Sequence, residues 1–201
     1  MVRDGTLLGA DIHELRRTSP GGRRLMATGG SVTGTTTERQ RLRWLNELPA
    51  ERAAAELLAV CHPRRWAQRV ADGRPYPDAA ALQRAADEVW TALGPQDWLE
   101  ALAAHPRIGE QGGGSAPWSR REQAGVGGAA PEVRAALARG NAAYEDRFGH
   151  VFLIAATGRS ADDILADLRA RLGNDPDTEL RVAADEHRRI TRLRLARLLG
   201  G

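Results

Sequence analysis

The sequence contains no lysine; all 29 of its basic residues are arginine. That removes Schiff-base chemistry on a side-chain amine, the route by which enzymes capture carbonyl substrates or pyridoxal phosphate. There is one cysteine, Cys61, so neither an intramolecular disulfide nor a paired-cysteine metal site can form. Aromatic residues make up 4% of the chain, with only two Phe and two Tyr, which is sparse for a β-sandwich or barrel. No run approaches the ~18 apolar residues that mark a membrane span. The first residues lack the apolar core of a signal peptide, being interrupted by Asp4, Asp11, His13, Glu14 and repeated arginine. A soluble cytoplasmic protein with no membrane partner is the expectation.

What is present is balanced charge. The 29 arginines face 26 acidic residues, for a formal charge of +3, yet the sequence pI is about 9.9. Without lysine almost nothing titrates between histidine and arginine, so the pI runs high with no basic patch behind it. Nucleic-acid binding would have to draw on Arg188, Arg189, Arg192, Arg194 and Arg197 near the C-terminus, where no recognition motif is visible. No nucleic-acid partner is expected.

Residues 1–37 are rich in Gly, Thr, Ser and Arg, follow neither helical nor strand period, and read as a disordered extension. From residue 38 to 201 the apolar residues recur at helical spacing. Leu42, Leu45 and Leu48 form a short face ended by Pro49, and Ala54, Leu57, Leu58 and Cys61 form a second. Pro63 restarts a helix with Trp66 and Val70, RPYPD (74–78) is a turn, and Asp78 is the N-cap for Leu82, Ala85, Ala86, Val89, Trp90 and Leu93. Pro95 suits the first turn of a helix facing Trp98, Leu99 and Leu102 inward, which stops at His105 because a residue before proline avoids the α region. Ser119 caps a short helix, Pro131 opens a longer one closed by Gly149, Ser160 caps another with Asp163 in the capping-box position, and the last runs from about Pro176 to Leu199. VFLIAA (151–156) is strand-like without a partner and is expected to lie extended against helices. A single all-α domain of eight or nine helices follows.

Titratable residues collect where the helical pattern stops, in HPRIGEQGGGSAPWSRREQ (105–123). His105 titrates near neutrality and is suited to proton transfer, or simply to the negative end of a helix. Glu122, three residues after Ser119, completes a capping box, and from that first turn it also has access to an adjacent cleft, with Ser119 and Gln123 beside it. Arg159, in TGRS before a helix, suits a carboxylate or planar ureide, or the solvated surface. His62, His150 and His187 show no metal-ligand spacing, and the glycines at 112–114 lack the ending of a phosphate loop.

Taken in order, LNELP (45–49), the Cys61 to Trp66 segment with RPYPD, HPRIGE (105–110), SRREQAGV (119–126), NAAYEDRFGHVFLIAATGRSADDIL (141–165), RLGND (171–175) and the pattern of the last helix resemble the 2-oxo-4-hydroxy-4-carboxy-5-ureidoimidazoline (OHCU) decarboxylases of urate breakdown. The resemblance spans roughly residues 40–200. It implies an all-helical, cofactor-free, metal-free homodimeric carboxy-lyase that yields (S)-allantoin. It further implies that His105 and Glu122 match the catalytic pair. Pro106, Ser119, Gln123 and Arg159, with backbone groups of Val151, Phe152, Leu153 and Ile154, would match the substrate contacts. A decarboxylase or hydrolase for a related ureide or purine-derived ring is the alternative, and a catalytically silent helical module a more distant one. Two departures from the family pattern stand out: His150 after Phe-Gly, where an apolar or aromatic residue is expected, and CHP at 61–63.

Overall fold

The computed structural model describes residues 35–108 and 128–201; of the extension expected over residues 1–37, residues 1–34 lie outside them, while Thr35 caps the first helix and Thr36 and Thr37 open it. Eight helices occupy the described residues, with no strand among them: α1 (Thr36–Glu47), α2 (Ala50–Val60), α3 (Arg64–Asp72), α4 (Ala79–Thr91), α5 (Pro95–Ala103), α6 (Pro131–Phe148), α7 (Ala161–Arg171) and α8 (Pro176–Leu198). The described residues cluster as one compact unit.

Most boundaries follow local chemistry. Asp78 accepts from the Ala81 N–H at 2.7 Å and starts α4. Ser160 and Asp163 form the reciprocal capping box of α7, and Asp175 accepts from Thr178 to start α8. Pro95, Pro131 and Pro176 sit in first turns, where the missing N–H is not needed. Gly149 ends α6 at φ +73°, a left-handed position that side chains other than glycine adopt with strain.

LNELP and RPYPD prove to be two halves of one junction. The last carbonyls of α1 have no intrahelical partners, and the Arg74 guanidinium donates to Leu45 O at 2.6 Å and Leu48 O at 2.8 Å. Asn46 and Tyr76 exchange two hydrogen bonds, at 2.9 and 3.0 Å, across the same contact.

Two expected faces shift. Of the expected α2 face, Leu57 and Cys61 are fully buried as expected, whereas Ala54 and Leu58 pack at the margin and Ala53 and Val60 complete the inward stripe. On α5 Leu99 is 40% exposed, because the inward face runs through Trp98, Ala101 and Leu102 and leaves Leu99 on the flank.

Apolar side chains gather in two principal clusters. The larger joins α1 to α5 with Ala184, Leu195 and Leu199 at and beyond α8. The second packs Leu137 and Tyr144 of α6 and Ile164, Leu165 and Leu168 of α7 around Ile108, Phe152 and Ile154. A small third cluster joins Leu102 of α5 and Leu153 to Ala183 and Ile190 of α8. Residues 151–156 form neither helix nor strand, as expected, and Phe152, Leu153, Ile154 and Ala156 are buried against α6, α7 and α8. The segment is held by polar clamps from both sides: Arg171 Nη1 donates to Leu153 O at 2.8 Å, and the Ala155 N–H donates to Glu186 Oε2 at 2.9 Å.

Candidate active site

His105 sits just past the C-terminus of α5, its N–H donating to Leu102 O at 3.0 Å. The chain that follows is tied to α6. Arg107 makes a two-pronged ion pair with Glu145, at 2.6 and 2.7 Å, and Asn141 Nδ2 donates to Ile108 O at 2.9 Å. The backbone carrying the histidine is thus fixed before and after it, and Pro106 restricts it further.

The imidazole is only 8% exposed, and its Nε2 has no hydrogen-bond partner among the described residues. Burial, with Arg194 and His62 adding positive charge nearby, pushes its pKa down from 6.5 to about 3. His105 is therefore a neutral imidazole at neutral pH, able to accept a proton through one ring nitrogen or donate through the other. A buried, unpaired nitrogen of this kind requires an explanation, and a ligand that supplies the missing partner is one.

Sequence spacing did not single out the residue that touches His105. The His187 ring meets it edge to face, with centroids 5.0 Å apart and planes at 80°. His187 lies on the inward stripe of α8 with Ala183, Ala184, Ile190, Thr191 and Arg194, and that 3-and-4 spacing was the available signal. A lone histidine in such a stripe is ordinarily core, so the signal is weak.

Arg159 occupies the turn before α7 and takes Asp167 of that helix as its partner, at 2.6 Å; both side chains are partly exposed. Val151, Phe152, Leu153 and Ile154 run past α8 near the small third cluster, and the apolar side chains of 152–154 are spent on packing. Only their backbone groups remain to face a ligand, and the Leu153 carbonyl already accepts from Arg171. His150 joins the Tyr144 and Phe148 rings, 5.5 and 6.1 Å away, and so belongs to the second cluster. In the CHP segment Cys61 is fully buried, and burial raises its thiol pKa. Glu110, Ser119, Glu122 and Gln123, and the short helix expected at Ser119, lie outside the described residues. No three His, Cys, Asp or Glu side chains gather at metal-binding distance among the described residues.

The described residues form an all-helical unit in which a buried, neutral histidine follows a helix terminus and a non-helical segment is clamped between helices. The OHCU decarboxylase family model matches residues 46–196, and the chain belongs to that family. It is 33% identical over 149 residues to the uric acid degradation bifunctional protein TTL of Arabidopsis thaliana, covering 71% of this chain and 46% of that one. It is 31% identical over 134 residues to the 2-oxo-4-hydroxy-4-carboxy-5-ureidoimidazoline decarboxylase of Amia calva, covering 64% of this chain and 77% of that one. A solved structure, an OHCU decarboxylase crystallised in the presence of (S)-allantoin, superposes with a TM-score of 0.65 at 29% identity, covering 73% of this chain and 98% of the other. The chain thus spans less than half the length of its bifunctional plant relative.

Proposed function

We propose that this protein decarboxylates 2-oxo-4-hydroxy-4-carboxy-5-ureidoimidazoline to (S)-allantoin in urate breakdown, as a cytoplasmic homodimer that needs no cofactor. The observation that carries the reading is the buried, neutral imidazole of His105, whose Nε2 has no hydrogen-bond partner among the described residues, in a chain of this family. The relatives' names and the (S)-allantoin in the solved relative's crystal support the substrate class.

The chemistry asks little of the protein beyond orientation and one proton. The ring carbon that loses CO₂ carries a hydroxyl and adjoins a ring C=N. When the carbon–carboxylate bond breaks, its electron pair forms a double bond to the ureido-bearing carbon, and the C=N pair moves onto the ring nitrogen, which takes a proton. The resulting enol gives up its hydroxyl proton as the ureido-bearing carbon gains one, leaving a carbonyl and a new stereocentre. Overall one carboxylate and one proton become CO₂ and allantoin. The ring itself is the electron sink, so the absence of lysine costs the reaction nothing.

His105, coupled to Glu122, engages the hydroxyl and carboxylate and handles the proton, delivering it to one face. Arg159 and Gln123 hold the ring and ureide, Ser119 and Pro106 line the site, and backbone groups at 151–154 complete it. Arg159 reaches substrate by exchanging Asp167, and a half-exposed ion pair is worth only about 0–1 kcal/mol, so the exchange is cheap.

The test uses OHCU generated in place from urate by urate oxidase and hydroxyisourate hydrolase, with circular dichroism following optically active allantoin. Rapid appearance of the (S) signal is expected, and His105→Ala should slow it by about 10²- to 10⁴-fold. Slow racemic decay unchanged by the protein would overturn the reading of the activity. Near-normal stereospecific turnover by His105→Ala would overturn the assignment of the residue.

A further inference from the structure

We propose that His187 is a positioning residue for His105: held between Trp90 and Thr191, its ring fixes the rotamer of the His105 imidazole at the end of α5. The inference rests on the reading of His105 as the proton-handling group and adds what orients it.

The contacts form a chain anchored on backbone. Trp90 Nε1–H donates to Ala184 O at 3.1 Å, which locks the indole of α4 against α8. The His187 ring stacks on that indole at a centroid distance of 4.5 Å with planes only 8° apart. On the other side its Nδ1 lies 3.3 Å from Thr191 Oγ1. The ring is fully buried, so neither of its torsions is free, and it turns its remaining contact to His105, edge to face. The backbone around His105 is already pinned to α5 and α6. Side-chain rotation is the freedom left to it, and His187 packs against the group that would rotate.

Retaining an imidazole here has a cost. His187 Nε2 is buried without a partner among the described residues, a penalty that leucine or phenylalanine would avoid. The contact with His105 is ring packing without ionic character. The charged or titratable groups acting on the pair are Arg194 of α8, a permanent cation, and His62 of the α2–α3 connection, a cation only when protonated; with burial as the main cause, they lower the proton affinity of both rings. Cys61, packed near Thr191 and Arg194, is held as a thiol by burial. Glu186, next to His187 in sequence, is occupied by the Ala155 N–H and Arg189.

The experiment compares wild type, His187→Phe and His187→Leu, with thermal melting to verify folding and His187→Met in place of the leucine variant if that one does not fold. Phenylalanine keeps a flat ring on Trp90 and an edge against His105, whereas leucine removes both. Expected results are kcat within about threefold of wild type for His187→Phe, and about 10- to 100-fold lower for His187→Leu with KM within about twofold, because misplacing a catalytic group acts on the chemical step. In spectra of ¹⁵N-histidine-labelled protein, the His105 ring signals should stay single in wild type and His187→Phe, and shift or broaden in His187→Leu. Unchanged kcat and unchanged His105 signals in the leucine variant would overturn the proposal. So would a loss of kcat with unchanged His105 signals, since the effect would then not pass through that ring, or a phenylalanine variant as impaired as the leucine one. If wild type fails to turn over OHCU, the functional reading falls by itself, and the His105 signals still decide whether His187 holds the ring.

Discussion

His105 and His187 both hold protons less well in the folded chain than in the unfolded one, and the sign of the consequence is fixed. Unfolded, each takes up a proton as pH falls through about 6.5; folded, His105 resists until about pH 3, and His187 is likewise held well below its ordinary value. The folded state is therefore fully favoured above pH 6.5 and loses stability progressively below it, with a slope of up to about 1.4 kcal/mol per pH unit for each histidine. The surface caps Asp163 and Asp175, whose pKa values are depressed by hydrogen bonds from Ser160 and Thr178, lose their contribution only below their ordinary value of 3.8. The interval from about pH 6.5 to 4.5 thus isolates the histidines. Urea unfolding across it should show falling stability, and His187→Phe should flatten the slope by about one proton's worth; an equal slope in the two proteins would refute the assignment. At this scale the sequence marks His105 as a candidate, since a histidine before proline at a helix end is conspicuous, and the structure places it buried just past α5. The sequence did not disclose His187, whose significance comes from a neighbour 82 positions away in sequence. Arg159 is a residue-scale prediction too: Arg159→Ala should raise KM by about 10- to 100-fold, the worth of a charge-assisted hydrogen bond, with a smaller effect on kcat in the dichroism assay.

Helix boundaries were legible because they depend on residues within one turn: Asp78, Ser160 with Asp163, Asp175, and the prolines at first turns all act locally. The burial of Ala53 and Val60 in place of Ala54 and Leu58 and the exposure of Leu99 were not legible, because alanine and leucine stripes leave the facing direction to tertiary packing. The non-helical segment 151–156 was recognisable by its apolar run, but the clamp that holds it was not. RLGND supplies that clamp. Arg171 is bound to Glu179 at 2.6 Å, Asn174 Nδ2 donates to the other Glu179 oxygen at 2.7 Å, and Tyr144 O–H donates to Glu179 as well, with the carboxylate 0% exposed. Burial and the bond to Glu179 push the Tyr144 pKa up, so the phenol keeps its proton as donor. Removing one partner of a buried pair leaves the other charge uncompensated, so Glu179→Ala should cost about 3–5 kcal/mol. The double variant Arg171→Met/Glu179→Leu should recover much of that loss, because both charges leave together. Urea unfolding of the three proteins is the check, and a double variant less stable than Glu179→Ala would contradict the account.

Across the described residues α8 links several parts of the fold: it contributes to the large cluster and the small one, sends Glu186 to the non-helical segment and Glu179 to the Arg171 that clamps that segment, and carries His187. The same helix bears the arginines that make the high pI resemble a nucleic-acid signal, and their partners decide the matter. Arg192 is paired with Asp87 of α4 at 2.7 Å, Arg188 with Asp185 at 3.0 Å, and Arg189 with Glu186. Arg194 is buried, with Nη1 donating to Val60 O. A phosphate backbone attracts a protein by the cations it finds uncompensated, and each one used steepens the salt dependence of binding. Here three of the helix's cations are already set against carboxylates and a fourth is buried, in a chain whose formal charge is only +3. The protein should therefore elute from an immobilised duplex below about 0.15 M salt, where the screening length is still ~8 Å. Replacing Asp87, Asp185 and Glu186 together by their amides should move elution to higher salt by exposing three arginine charges. Retention of the wild-type chain well above that salt would mean that these pairs do not neutralise the surface, and would restore the nucleic-acid reading that the pairing displaces.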